Sequence, residues 1–278
     1  MFILNKMKIH YKNITLNLEI IEKNNSDSFI LFLHGFTGSS EDWKEIAENI
    51  DSRFSIACLD FIGHGKSESP DDEKLYSVDS LIEQIDKAVK SITKNKIILA
   101  GYSMGGRAAL SYANKHREKL LALILESATP GITSETVRAE RIISDEKLEK
   151  FILENPIEKF ANYWMNIDLF ESQKKLPEQK LKLVRENKLK NNPVGLANSL
   201  KGFSTGKMPP LFESLKNIKI KTLLISGELD EKFSTISLNM SKLLPFSQNV
   251  IIKGVGHNTH LEKPEEFVNT VNNFLKQF

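Results

Sequence analysis

The sequence predicts an α/β protein, a mostly parallel sheet with helices on both faces and a helical cap inserted over it. Three observations carry that expectation. Short, nearly continuous apolar runs recur along the chain, as in strands covered on both faces. Stretches with the helical period separate them. Between Glu126 and Ile220 the alternation gives way to a long helical stretch rich in Lys and Glu.

The opening residues, 1–10, alternate charge with hydrophobe instead of running apolar as a signal peptide does. Ile14, Leu16, Leu18 and Ile20 then alternate with Thr15, Asn17 and Glu19, the period of a strand with one wet face, and its expected place is the sheet edge. Further strands are predicted over 29–34, 55–59, 96–100, 121–126, 220–226 and 249–252. Helical spacing appears at Trp43, Ile46, Ala47 and Ile50. It returns at Val78, Leu81, Ile82, Ile85, Val89 and Ile92, with Ser77 placed to cap that helix. The last helix begins at Pro264, suited to a first turn, and gathers Phe267, Val268, Val271, Phe274 and Leu275 on one stripe. The predicted division is therefore a core over 1–126 and 213–278 and a helical cap over 127–212. Turns within the cap fall at Thr129-Pro130-Gly131, Asn155-Pro156 and Asn192-Pro193.

Composition limits what such a fold does. The 278 residues allow one large domain or one domain with an insert. Lys plus Arg number 38 against 36 Asp plus Glu, a formal net charge of +2, so the broad basic field that nucleic acid or an anionic membrane selects is absent. An anionic partner must be met by local charge. Cys58 is the only cysteine, which excludes an intrachain disulfide and a multi-Cys metal site and fits a reducing compartment. No run approaches the roughly 18 apolar residues of a membrane span. A cytoplasmic protein is expected.

The chemistry concentrates at Gly101-Tyr102-Ser103-Met104-Gly105, which follows one predicted strand and precedes helical spacing at Ala108, Ala109 and Tyr112. This is a Gly-x-Ser-x-Gly nucleophile elbow in the strand, turn, helix context the motif requires. The glycines let backbones approach where a strand turns sharply into a helix, and the turn leaves Ser103 at a helix N-terminus that favours developing negative charge. Asp230 and His257 each come just after a later strand, and Ser, Asp, His is the chain order of a hydrolase-type triad. A serine hydroxyl needs an imidazole to take its proton, and a carboxylate to fix that imidazole's tautomer. Glu228 is the rival acid, two residues from Asp230. The segment His34-Gly35-Phe36-Thr37-Gly38 nominates the Phe36 amide, beside the Met104 amide, as an oxyanion hole. His34 reads as a structural histidine holding its loop, and 63–67 as a conformationally demanding turn. His257 and His260 lack the carboxylate or Cys cluster of a metal pair, so no metal and no cofactor is assigned. Arg is scarce beside Lys, yet it stands at 107, 138, 141 and 185, and Arg is favoured over Lys where a carboxylate is held in two-point geometry. By itself Arg107 is as consistent with a solvated surface charge, and Trp164 with cap packing.

With these residues in hand, the core resembles the α/β-hydrolase superfamily. Nearly end to end the chain resembles the 2-succinyl-6-hydroxy-2,4-cyclohexadiene-1-carboxylate synthases of menaquinone and phylloquinone biosynthesis. The resemblance rests on Leu33-His34-Gly35-Phe36-Thr37-Gly38, on 101–107, on Glu126-Ser127-Ala128-Thr129-Pro130-Gly131, and on 227–233. In the cap it rests on Arg138, Arg141, Ser144-Asp145, Tyr163-Trp164, 169–173, Arg185 and 192–200. It implies an α/β-hydrolase fold, a triad of Ser103, Asp230 and His257, and substrate contacts from Tyr102, Arg107, Arg141, Trp164 and Arg185. Arg138 does not align to a definite contact. The implied partner is a small tricarboxylate, which gives an Arg cluster a purpose in a charge-balanced chain; a monomer or weak homo-oligomer is expected. The implied reaction is elimination of pyruvate. The same residues would serve an esterase or C–C bond hydrolase, distinguished by a covalent acyl-enzyme, or a ligand-binding protein that kept the fold.

Overall fold

The computed structural model describes residues 2–24 and 26–278; of the opening segment read above, Met1 lies outside them. Eight strands form one sheet: β1 (Phe2–Tyr11), β2 (Ile14–Lys23), β3 (Phe29–Leu33), β4 (Ser55–Leu59), β5 (Ile97–Tyr102), β6 (Leu120–Glu126), β7 (Lys221–Gly227) and β8 (Ser247–Ile252). Their spatial order is β1-β2-β4-β3-β5-β6-β7-β8, with β1 and β2 antiparallel, β2 and β4 antiparallel, and every other pair parallel. The helices are α1 (Lys44–Asn49), α2 (Val78–Ile92), α3 (Met104–His116), α4 (Glu135–Glu154), α5 (Ile157–Met165), α6 (Glu178–Leu189), α7 (Pro193–Phe203), α8 (Glu231–Leu243), α9 (Thr259–Glu262) and α10 (Pro264–Leu275). Among the described residues no helix is long and apolar enough to cross a membrane.

Successive side chains of a strand point to opposite faces, so each central strand feeds two cores. Leu31 and Leu33 of β3, Leu99 of β5 and Leu123 and Leu125 of β6 join Leu81, Ile85, Ala108, Ala109 and Met240 on the face covered by α2, α3 and α8. Ile30, Phe32, Ile98, Ala100 and Ile124 join Trp43, Ile46, Phe267, Val271 and Phe274 on the face covered by α1 and α10. The Ser77 side chain caps α2 by accepting from the Ser80 amide, and Pro264 occupies the first turn of α10. These central strands and both helices lie within a residue or two of the sequence reading.

The alternating strand over 14–20 is not the sheet edge. β1 lies outside it, joined by the turn Lys12-Asn13 with Lys12 at φ 52°, so the charge alternation of the opening residues is itself a strand's period. Nor is the polar face of β2 wet: Asn17 and Glu19 are 1% and 3% exposed. The 60–67 loop covers them, with Asn17 Nδ2 donating to Asp60 at 2.9 Å and Lys66 Nζ to Glu19 at 2.6 Å.

Between β6 and β7 the chain leaves the sheet for α4 to α7. Leu196 and Leu200 of α7 form a separate small core with Ile152 and Phe160, and Phe36 and Trp164 pack against it. α7 sits directly on the sheet's own loops: a Cβ on Gly195 would lie 2.4 Å from the Gly63 carbonyl oxygen.

Candidate active site

The site is assembled from the C-terminal ends of β3, β5, β7 and β8, where loops of a parallel sheet converge. At the end of β5 the chain reverses into α3 through Ser103, whose φ is +50°, a conformation a non-glycine residue holds at a cost of about 1–3 kcal/mol. Tight backbone contact enforces the turn. A Cβ on Gly101 would lie 2.4 Å from the Gly105 carbonyl, and one on Gly105 would lie 2.2 Å from the Leu33 carbonyl oxygen. The Ser103 amide donates to the Glu126 carbonyl at 2.9 Å, tying the turn to β6.

His257 Nε2 lies 3.0 Å from Ser103 Oγ, and His257 Nδ1 lies 2.6 Å from Asp230 Oδ2. Asp230 also caps α8, its Oδ1 accepting from the Phe233 amide at 3.2 Å. His257 is 1% exposed and held edge-on by the Phe233 ring, with centroids 4.4 Å apart. Aspartate thus fixes Nδ1 as the protonated nitrogen and leaves Nε2 to accept from serine. The rival acid Glu228 is occupied elsewhere, accepting from the Gly254 amide at 2.9 Å.

Met104 begins α3, so its N–H is one of those no helix can pair internally. The Phe36 amide likewise takes no protein acceptor among the described residues. His34 ties the loop down: its Nδ1–H donates to the Gly35 carbonyl at 2.8 Å, and its Nε2 accepts from the Phe61 amide at 3.1 Å. His257 and His260 point to different carboxylates, Asp230 and Glu126.

A small pocket adjoins Ser103 and His257, lined among others by Phe36, Tyr102, Phe170, Lys188, Asn258 and His260. The Tyr102 ring stands 5.4 Å from that of His257, and burial pushes its phenol pKa well up. Trp164 meets Phe36 edge-on at 5.2 Å and Phe170 at 5.9 Å; its indole N–H is buried without a protein partner.

The arginines are placed differently. Arg107 is buried, its Nη1 donating to the Phe203 carbonyl at 2.7 Å and its guanidinium 4.7 Å above the Phe203 ring. Burial, and then Arg141, pull its pKa down to about 9. Arg141 Nε donates to both Asp145 oxygens at 2.8 Å. Arg138 Nε reaches the Gly206 carbonyl at 3.4 Å, away from the cavity lining. Arg185 bonds Asn162 at 3.2 Å on the exposed side of α6 and does not line the cavity. Lys188, about one turn later, does; its Nζ donates to Thr37 Oγ1 at 2.9 Å, and burial lowers its pKa. Lys188 has no signal in the sequence beyond standing three residues after Arg185 among many other lysines.

Residues 29–264 match the family model described as alpha/beta hydrolase fold, the class that this sheet and elbow define. A Bacillus subtilis (strain 168) protein provisionally named 2-succinyl-6-hydroxy-2,4-cyclohexadiene-1-carboxylate synthase is 41% identical over 90% of this chain and 91% of its own. The synthase of that name from Enterobacter sp. (strain 638) is 28% identical over 85% of this chain and 87% of its own. The solved structure of MenH from S. aureus covers 94% of this chain and 98% of its own, with a TM-score of 0.90 and 35% identity. The chain belongs to the alpha/beta hydrolase fold family and, within it, to the family of 2-succinyl-6-hydroxy-2,4-cyclohexadiene-1-carboxylate synthases.

Proposed function

We propose that this chain is a carbon–oxygen lyase of menaquinone or phylloquinone biosynthesis. It eliminates pyruvate from 2-succinyl-5-enolpyruvyl-6-hydroxy-3-cyclohexene-1-carboxylate and leaves 2-succinyl-6-hydroxy-2,4-cyclohexadiene-1-carboxylate. The observation that carries the reading is the bonded line Ser103, His257, Asp230 in a chain 41% identical to a relative named for that synthase.

Ser103 passes its proton to His257 Nε2 and removes the ring proton next to the succinyl ketone. The electron pair moves onto the ketone oxygen, where the Phe36 and Met104 amides stabilise the enolate. Collapse of the enolate shifts the ring double bond and breaks the distal C–O bond, so the enolpyruvyl group leaves and takes up a proton to become pyruvate. An oxyanion hole that suits a tetrahedral acyl intermediate suits an enolate too, since both place charge on a former carbonyl oxygen. Three substrate carboxylates need cationic partners. Lys188 supplies one from the cavity lining; Arg107, Arg141 and Arg185 lie outside that lining and would supply the others by exchanging their protein partners for substrate. Tyr102 and Trp164 present ring surface to the substrate's carbon skeleton. The lone, buried Cys58 supports a reducing compartment, and we read the protein as cytoplasmic.

The test is a coupled assay for pyruvate with purified protein and the enolpyruvyl substrate, run beside simple aryl esters. Fast pyruvate release with slow ester turnover is expected. Ester hydrolysis through a Ser103 acyl-enzyme, with no pyruvate, would move the chain to the hydrolases.

A further inference from the structure

A second carboxylate–histidine contact stands on the loop that carries His257. Glu126, the last residue of β6, is 1% exposed, and a carboxylate so placed is tolerated only with its oxygens satisfied. Three donors satisfy it. Its Oε1 accepts from Thr259 Oγ1 at 2.7 Å and from the His260 amide at 3.0 Å, and its Oε2 lies 2.6 Å from His260 Nδ1. All three come from the two residues that lie two and three places after His257.

The same residue grips the other half of the dyad. The Glu126 carbonyl accepts the Ser103 amide at 2.9 Å, the bond that ties the strained turn to the sheet. His260 in turn is stacked on Trp43, with centroids 4.2 Å apart, and stands edge-on to Tyr102 at 5.1 Å. Glu126 is therefore bonded through its backbone to the serine turn and through its side chain to the histidine loop, on a rigid strand between them. The 3.0 Å separation of Ser103 Oγ and His257 Nε2 depends on the relative placement of those two loops.

We propose that Glu126 is a positioning residue for the Ser103–His257 contact, acting through Thr259 and His260 without touching substrate. The proposal rests on the reading of Ser103 and His257 as the working base and its partner. Glutamine keeps one acceptor oxygen for Thr259 Oγ1 and the His260 amide but puts an NH₂ where Oε2 stands, so the charge is lost and the His260 ring must switch tautomer to meet it.

Three variants test this: Thr259→Val, which deletes one donor and spares Glu126, Thr259→Ser, which restores the hydroxyl, and Glu126→Gln. The readouts are kcat and KM for pyruvate release, the rate of Ser103 labelling by a small fluorophosphonate, and the melting temperature. Labelling needs the Ser–His contact but no lyase substrate, so it reports alignment even if the proposed reaction is wrong. In Thr259→Val, kcat and the labelling rate are expected to fall together by about ten- to a hundredfold, the scale of an ångström-sized misplacement, while KM stays within about twofold. Thr259→Ser restores both rates, and Glu126→Gln, where it folds, loses at least as much as Thr259→Val. Labelling within about twofold of wild type in a Thr259→Val protein still folded at the assay temperature overturns the proposal, as does a fall in kcat without a fall in labelling.

Discussion

The two walls of this site are built by different means. The wall from the sheet holds its chemistry through a tight backbone turn and buried side-chain contacts made within the core: Ser103 by a turn that only Gly101 and Gly105 allow, Asp230 as a helix cap, His257 between Asp230 and Phe233. The wall from the insert carries charges that already have protein partners, Arg141 on Asp145 and Lys188 on Thr37, and Arg107 of α3 reaches it from the core through the Phe203 carbonyl. The arrangement of Ser103, His257 and Asp230 is thus part of the fold, while these cations sit in side-chain bonds that, on the proposed reading, a substrate carboxylate would compete for.

The contrast predicts unequal effects. Ser103→Ala and His257→Ala each lower turnover by at least about a thousandfold, with an unchanged circular dichroism spectrum, because they remove the base and its proton acceptor. A rate near wild type in either folded variant would put the chemistry elsewhere.

Next in size is the insert wall. Lys188→Met is expected to lower kcat/KM by about tenfold or more, the scale of a hydrogen bond to a charged group, with a smaller loss in Arg185→Ala. Steady-state kinetics on both variants decide whether the cavity-lining cation is the stronger partner; a larger loss at Arg185 would reverse the order. Arg107→Lys keeps charge but loses the fork, so KM rises or kcat falls.

The seam between the walls is testable through stability. Gly195→Ala would press its Cβ to 2.4 Å from the Gly63 carbonyl, and overpacking of that kind destabilises by about 1–3 kcal/mol. Denaturant unfolding measures it, and an unchanged midpoint would mean that α7 is free to shift. Beside that contact, His64 is buried, and burial and then His34 pull its pKa from 6.5 down to about 3. Between those values the unfolded chain binds a proton that the folded chain refuses, so stability falls as pH falls through that window. The melting temperature of wild type should drop more steeply there than that of His64→Asn, and parallel profiles would count against it.

The same contrast explains what could be read from the sequence. Strands buried on both faces announce themselves as apolar runs, a capped helix such as α2 shows its Ser77, and the elbow shows its glycines, because each is a local demand on residue type. The order of Ser103, Asp230 and His257 follows from strand ends and was legible for that reason. Partnerships across the fold were not. The polar face of β2 looked wet because nothing in 14–20 says that the 60–67 loop covers it. Over α6 the composition suggested helix but gave no phase against the core, and Arg185 stood out as a scarce Arg where Lys188 did not. Arg107 stood as open between surface charge and substrate contact, and its burial against a backbone carbonyl 96 residues away leaves no mark in composition or period.

The most direct test of the account is pyruvate release from the enolpyruvyl cyclohexene substrate, at saturating concentration, by wild type and Ser103→Ala side by side. The account predicts rapid release by wild type and a rate at least about a thousandfold lower for the variant. Equal release by the two proteins would contradict the assignment of Ser103 as the base.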